Sequence, residues 1–173
     1  MVDKQGDIVT TSLTLIDVHD LARSCRTYGV ENLFISHSAP TIRKLTRTIQ
    51  SFWEDGFGAT YNPNRKEALD HVICVSELDE AIHNIALRTG KTPILVATSA
   101  KPGGKRISFK EMQELYKDTD VPFLMMLGTG WGMSQELLDR ADYFLDPING
   151  PTNYNHLSVR SACAIMLDRL FGV

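Results

Sequence analysis

The chain has 173 residues, of which 23% are charged and 8% aromatic, and a net charge of −3. These totals describe one globular domain, 1–173, large enough to bury a full core. They exclude a general electrostatic attraction to nucleic acid, so any basic footprint must be local. No apolar run reaches membrane-spanning length, MVDKQGD lacks a signal-peptide pattern, and the histidines and cysteines show no metal-ligand spacing. The expectation is a cytoplasmic protein with no membrane association, no metal, and reduced, buried Cys25, Cys74 and Cys163.

The first helix is predicted over 17–28, with Asp17 at the N-cap and Val18, Leu21, Ala22 and Cys25 as the buried stripe. His19, Arg23 and Arg26 fall at i, i+4 and i+7 beside it. They form either a small cationic surface suited to phosphate or a plain solvated face. Apolar runs at 32–36, 71–75, 93–98, 121–127 and 142–146 read as strands. They are continuous rather than alternating, as in a sheet covered on both faces. Helical patterns at 40–54, 77–89, 108–117, 134–140 and 155–171 alternate with them. The fold class is therefore α/β, a mostly parallel sheet with helices on both faces. Arg43, Lys44 and Arg47 on the 40–54 helix read as solvated.

Ligands of open α/β sheets sit beyond the carboxyl ends of strands. Three strands here end in unusual loops: TSAKPGGKR (98–106), LGTGWGM (127–133) and DPINGPTNYNH (146–156). The second is no Walker loop, since it lacks lysine. Nor is it a dinucleotide fingerprint, since Met133 stands where the last glycine belongs; this disfavours a Rossmann-like nucleotide enzyme. Glycines at a single strand end usually just make a turn, but three such loops point to a shared pocket.

On the last helix Val159, Ala162, Cys163, Met166 and Leu170 form one apolar stripe. Leu157, Ala164, Leu167 and Phe171 form a second, turned by about 130° at roughly 100° per residue. Two stripes imply burial from two sides, by the sheet and by a second subunit, with Arg160 at that interface. The alternative is a helix tucked under a loop of its own chain.

The segment LGTGWGM and the ending LDPINGPTNYNHLSVRSACAIMLDRL resemble the SPOUT class of S-adenosylmethionine-dependent RNA methyltransferases, most nearly a bacterial family of unassigned target. TTSLTLIDVHDLARSCRTYGV, GFGATYNPNRKEAL and VATSA look like further landmarks of it. The resemblance implies a C-terminal deep trefoil knot, S-adenosylmethionine as cofactor, a tRNA or rRNA substrate, and a homodimer packed through the C-terminal helix. It also implies that relatives begin with an additional short strand, so that either the start at MVDKQGD is trimmed or that strand is missing. Cofactor contacts would come from Thr98, Ser99 and Ala100; from Leu127, Gly128, Thr129, Gly130, Trp131, Gly132 and Met133; from Leu145, Pro147 and Ile148; and from Asn155, His156, Leu157 and Ser158. The three glycines would let main chain wrap the adenosine, with Met133 and Leu157 flanking the adenine.

Asp17, Arg23 and Gly29 match the spacing of a ribose 2′-O-methyltransferase motif, with aspartate in place of asparagine, so ribose oxygen and base nitrogen both stay open as targets. Arg23 falls where that branch keeps a catalytic arginine. A guanidinium stays protonated, so its role would be to stabilise an alkoxide or hold a phosphate. Asp17, His19 and His156 are the candidate bases, each with a plain structural reading beside it: cap, solvated side chain, first turn of the last helix. In GFGATYNPNRKEAL, Asn64 is expected to cap a short helix. Tyr61 or Arg65 would contact a flipped-out base or RNA backbone, or else the loop packs over a partner's cofactor site. A non-catalytic knotted dimer that binds RNA or S-adenosylmethionine is the alternative function.

Overall fold

The structure, a computed structural model, describes residues 1–55, 57–99 and 105–173. The chain divides into two compact units, an N-terminal one of Ser12–Ala81 and a C-terminal one of Met1–Thr11 with Ile82–Val173.

In the N-terminal unit, helix α1 (Leu15–Thr27) is capped by Thr14, not by Asp17 as its sequence pattern predicts. Thr14 is extended (φ −94°, ψ 153°) and its hydroxyl accepts from the Asp17 amide at 3.2 Å. The Asp17 carboxylate reaches back to the Thr14 amide, closing a capping box that satisfies two otherwise orphaned donors. Leu13, just outside the cap, packs on the cluster that holds Val18, a hydrophobic staple across the helix start. Strand β1 (Leu33–Ser36) leads through α2 (Pro40–Glu54), α3 (Phe57–Tyr61) and α4 (Pro63–Asp70) into β2 (Val72–Val75). The two strands pair in parallel, Leu33 opposite Val72 and Ser36 opposite Val75. Val18 and Ala22 of α1, Ile35 of β1, Ala68 and Leu69 of α4, and Val72 of β2 close the core. The cap of α4 is Asn62 rather than Asn64. Proline favours the first helical position, so Pro63 takes it and the Asn62 side chain accepts from the Arg65 amide at 3.1 Å. Helix α5 (Leu78–Thr89) follows.

The C-terminal unit carries a four-stranded parallel sheet in the order β4-β6-β3-β5, built from β3 (Ile94–Thr98), β4 (Arg106–Ile107), β5 (Phe123–Met126) and β6 (Tyr143–Leu145). Parallel pairing agrees with the continuous apolar runs. The ladders, however, form two sheets, one in each unit, and the two-residue β4 was too short to leave a sequence pattern. Helix α6 (Phe109–Asp118) starts with a Ser108–Glu111 capping box, and those hydrogen bonds hold the Glu111 carboxyl below its usual range. A short α7 (Gln135–Leu138) precedes β6, and α8 (Val159–Phe171) ends the chain. Met112 of α6 and Met166 and Leu170 of α8 bury one sheet face with Val96, Ile107 and Leu145. Full burial of such a side chain contributes about 1.5–3 kcal/mol.

The second stripe of α8 divides. Leu167 is buried within its own chain, whereas Leu157 and Phe171 stay exposed, Phe171 edge-on to Tyr116. The helix begins at Val159, later than predicted. Ser158 is extended (φ −63°, ψ 153°) and its hydroxyl accepts from the Ser161 amide, which leaves His156 outside the first turn. Residues 2–8 make a tight turn with a single antiparallel bridge, Val2 to Ile8.

Candidate functional site

In the C-terminal unit β3 lies between β6 and β5, all three parallel. Thr98 is opposite Leu145, and Ala97 opposite Met126, so the three strands end level with one another. The chain segments that follow them therefore leave from one edge of one sheet. That edge collects Thr98 and Ser99, the 127–133 loop, and Leu145, Pro147 and Ile148. Ala100, with 101–104 of the first loop, lies outside the described residues.

Several interactions fix this edge. The Thr98 hydroxyl donates to the Met126 carbonyl at 2.9 Å. The Arg106 guanidinium donates to the carbonyls of Ser99, at 3.1 Å, and Leu145, at 3.0 Å, tying the first exit to the third. Asp142, at the entry to β6, accepts from the Leu95 amide at 2.8 Å. The 127–133 loop is held by the N-terminal turn, since the Val2 amide donates to the Gly132 carbonyl at 3.0 Å and the Thr11 and Thr129 hydroxyls share a hydrogen bond at 2.6 Å. The sequence reading assigned no role to Arg106, Thr11 or Val2. Only their main-chain and hydroxyl partners, far away in the chain, reveal them.

The glycines act differently from one another. Gly130 and Gly132 have φ of +62° and +108°, the left-handed half of backbone space that side chains disfavour. Gly128 has an ordinary φ, but a Cβ there would stand 3.2 Å from both the amide nitrogen and Cγ of Met133. Met133 is buried beneath the loop, while Trp131 is half exposed with the Lys4 ammonium 6.0 Å from its ring. Leu127 and Ile148 turn their side chains onto the core, which leaves main-chain groups as what they present at the edge. Asn155, His156, Leu157 and Ser158 are all exposed. His156 lies edge-on to Tyr154, and Ser158 serves as the α8 cap. A loop with two left-handed glycines and a fixed carbonyl network fits a ligand gripped by main chain, as the adenosine of S-adenosylmethionine would be.

The remaining sequence candidates lie in the N-terminal unit. Asp17 is buried and its carboxylate engages Thr14. Arg23 is exposed on α1. His19 is half-buried, edge-on to Trp53 with ring centroids 5.8 Å apart. Burial first, then the Arg65 guanidinium, lowers its pKa from 6.5, with Asp20 opposing and Arg23 adding a little. A neutral imidazole at neutral pH follows. Among the described residues no group of three or more His, Cys, Asp or Glu side chains could hold a metal, and no helix is long and apolar enough to cross a membrane.

The model of a family described as SAM-dependent RNA methyltransferase matches residues 1–172. A tRNA (guanine-N(1)-)-methyltransferase of Nitratidesulfovibrio vulgaris (strain Hildenborough) is 40% identical over 174 residues, covering 99% of this chain and 40% of the relative. An uncharacterised protein of Aquifex aeolicus (strain VF5) is 36% identical over 171 residues, covering 99% of this chain and 83% of its own. This chain thus spans about two fifths of the length of the named tRNA methyltransferases it matches. Among solved structures, a probable methylase family protein from Haemophilus influenzae Rd KW20 superposes with a TM-score of 0.63 at 17% identity, over 89% of this chain and 57% of that one. At that identity the likeness is one of fold.

Proposed function

Because this chain belongs to the SAM-dependent RNA methyltransferase family, we propose that it transfers a methyl group from S-adenosylmethionine to RNA, binding the cofactor at the carboxyl edge of the four-stranded sheet. The single observation that carries the location is the level ending of β6, β3 and β5, which brings the three loops together. When bound, the cofactor supplies an electrophilic methyl group. The chain's own part is positioning. Main-chain groups of 127–133 would hold the adenosine and Arg106 fixes the flanking exits, while in the N-terminal unit Arg23 offers a permanent positive charge suited to an alkoxide or a phosphate of the RNA. Of the candidate bases, Asp17 already spends its carboxylate on the capping box, and exposed His156 is the one that belongs to the same unit as the three loops.

The sheet order supports a trefoil knot of the SPOUT type. β6, the last strand, lies between β3 and β4, which are joined directly by residues 99–105. A last strand inserted between two consecutive strands is the order that a threaded C-terminus would give. A homodimer through α8 agrees with exposed Phe171 on its second stripe and exposed Leu157 just before its cap, and the protein would work in the cytoplasm. The guanine-N1 specificity is named for longer relatives, of which this chain matches about two fifths of the length, so the target is left as RNA.

Calorimetry with S-adenosylmethionine, followed by transfer of labelled methyl to total tRNA and rRNA, is the test. Micromolar cofactor binding and label in RNA are expected. A folded protein that binds no cofactor would refute the assignment.

A further inference from the structure

We propose that Arg65, Trp53 and His19 of the N-terminal unit form a preorganised site for a phosphodiester of single-stranded RNA. This deepens the RNA methyltransferase reading and rests on it for the identity of the ligand.

The Arg65 guanidinium carbon lies 4.7 Å from the centroid of the Trp53 ring. Among the described residues its guanidinium makes no hydrogen bond or ion pair, and its Nε is buried without a partner. An arginine immobilised on an indole face but with its in-plane donors unspent has already lost much of its side-chain entropy. It can meet a phosphate with two parallel N–H···O bonds. His19 approaches the same indole edge-on, and its Nδ1 is also buried and unsatisfied. A buried donor left without an acceptor is costly, and a bound anion offsets that cost. One turn further along α1, Arg23 is exposed and makes no hydrogen bond or ion pair among the described residues.

The charges acting on His19 are Arg65 from α4 and Asp20 and Arg23 from its own helix; α2 contributes the neutral Trp53. The balance is positive, with Asp20 the one opposing group among those that act on it. By contrast, Arg26 on the same helix is spent on Glu67, its Nε donating at 2.8 Å. Not every cation of α1 is available, and those that are face the same indole or lie one turn from it.

Helix α3 makes the ligand a nucleic acid rather than a small anion. It rests on Trp53 through Gly58, where a Cβ would come within 2.7 Å of the indole. It presents Phe57 and Tyr61 as a stacked pair, ring centroids 5.7 Å apart, at 75% and 74% exposure. Two large exposed aromatics beside a cationic cluster are a stacking platform for unpaired bases, with the phosphate read by the guanidinium. An incoming phosphate would also reverse the field at His19, so binding is coupled to proton uptake by that ring.

The test uses the full chain and a fluorescent single-stranded RNA 12-mer of mixed sequence, with affinity read by anisotropy over a range of salt concentrations. Arg65→Gln is expected to weaken binding about tenfold and to flatten the plot of log affinity against log salt by about 0.7, one phosphate contact on a single strand. Arg65→Lys, which keeps the charge but not the plane, should recover only part of the loss. Wild-type affinity and slope in Arg65→Gln would overturn the site. A second readout needs no variant: NMR titration of the His19 ring in wild-type protein, in chloride, with inorganic phosphate, and with the RNA. A pKa raised by RNA and much less by phosphate supports the proposal. An equal rise with phosphate overturns the RNA assignment, and no rise with either overturns the site. Cofactor binding, measured separately, reports on the methyltransferase reading and does not enter these outcomes.

Discussion

Replacing Gly132 with alanine isolates backbone geometry from steric room. A Cβ built at Gly132 meets nothing within 4 Å, so the side chain itself has space. The φ of +108°, however, is one that alanine occupies only with strain of about 1–3 kcal/mol. The strain cannot be released for nothing, because the Gly132 amide donates to Thr129 at 3.1 Å and its carbonyl accepts from Val2 at 3.0 Å. Rotating either peptide breaks one of these bonds. If the cofactor is held by main chain in the observed loop conformation, the penalty appears as affinity, about 5- to 150-fold in Kd at about 1.4 kcal/mol per tenfold. Calorimetry on wild type, Gly132→Ala and Gly90→Ala measures it. Gly90 has φ of +73° and likewise an open Cβ position, but it follows α5 away from the three loops. Its alanine variant should lose stability and keep its Kd. An unchanged Kd in Gly132→Ala, with the fold intact, would refute main-chain recognition by this loop.

Arg106→Met removes the donors to the Ser99 and Leu145 carbonyls and should cost about 1–3 kcal/mol, seen as a lower Tm in thermal unfolding; an unchanged Tm would mean that the two exits hold themselves. Asp17→Asn keeps an acceptor for the Thr14 amide, so a loss below about 1 kcal/mol in urea titration and retained methyl transfer are expected; a hundredfold fall in transfer by a folded variant would make Asp17 catalytic after all. His19 gives a pH dependence of defined sign. Its folded pKa is lowered, so below 6.5 the unfolded chain takes up a proton that the folded one refuses; the contribution to stability is present above 6.5 and lost as pH falls through the lowered folded value. Urea midpoints measured from pH 7.5 to pH 5 should fall less steeply for His19→Gln than for wild type, and identical slopes would contradict the burial of the ring.

Periodicity and composition are local properties, and what they encode survived folding. The runs around Phe34, Val96, Leu124 and Phe144 became parallel strands, and Val18, Leu21, Ala22 and Cys25 became the buried face of α1. The resemblance in the LGTGWGM loop and the C-terminal segment named the family. Caps were less legible. Thr14, Asp17, Asn62 and Asn64 are all residues that favour a cap, and the choice among them turned on details such as Pro63 claiming the first helical position.

What the amino-acid order determined by itself was the kind of each element and the chemical family, because both are written in residues close together along the chain. Tertiary structure alone decided that β6 enters between β3 and β4, that Arg106 bridges two strand exits, and that His19, Trp53 and Arg65 share one indole. Each of these joins residues from separate elements. Such meetings depend on how whole helices and strands pack to remove apolar surface from water, a sum over the core that no short stretch of sequence contains.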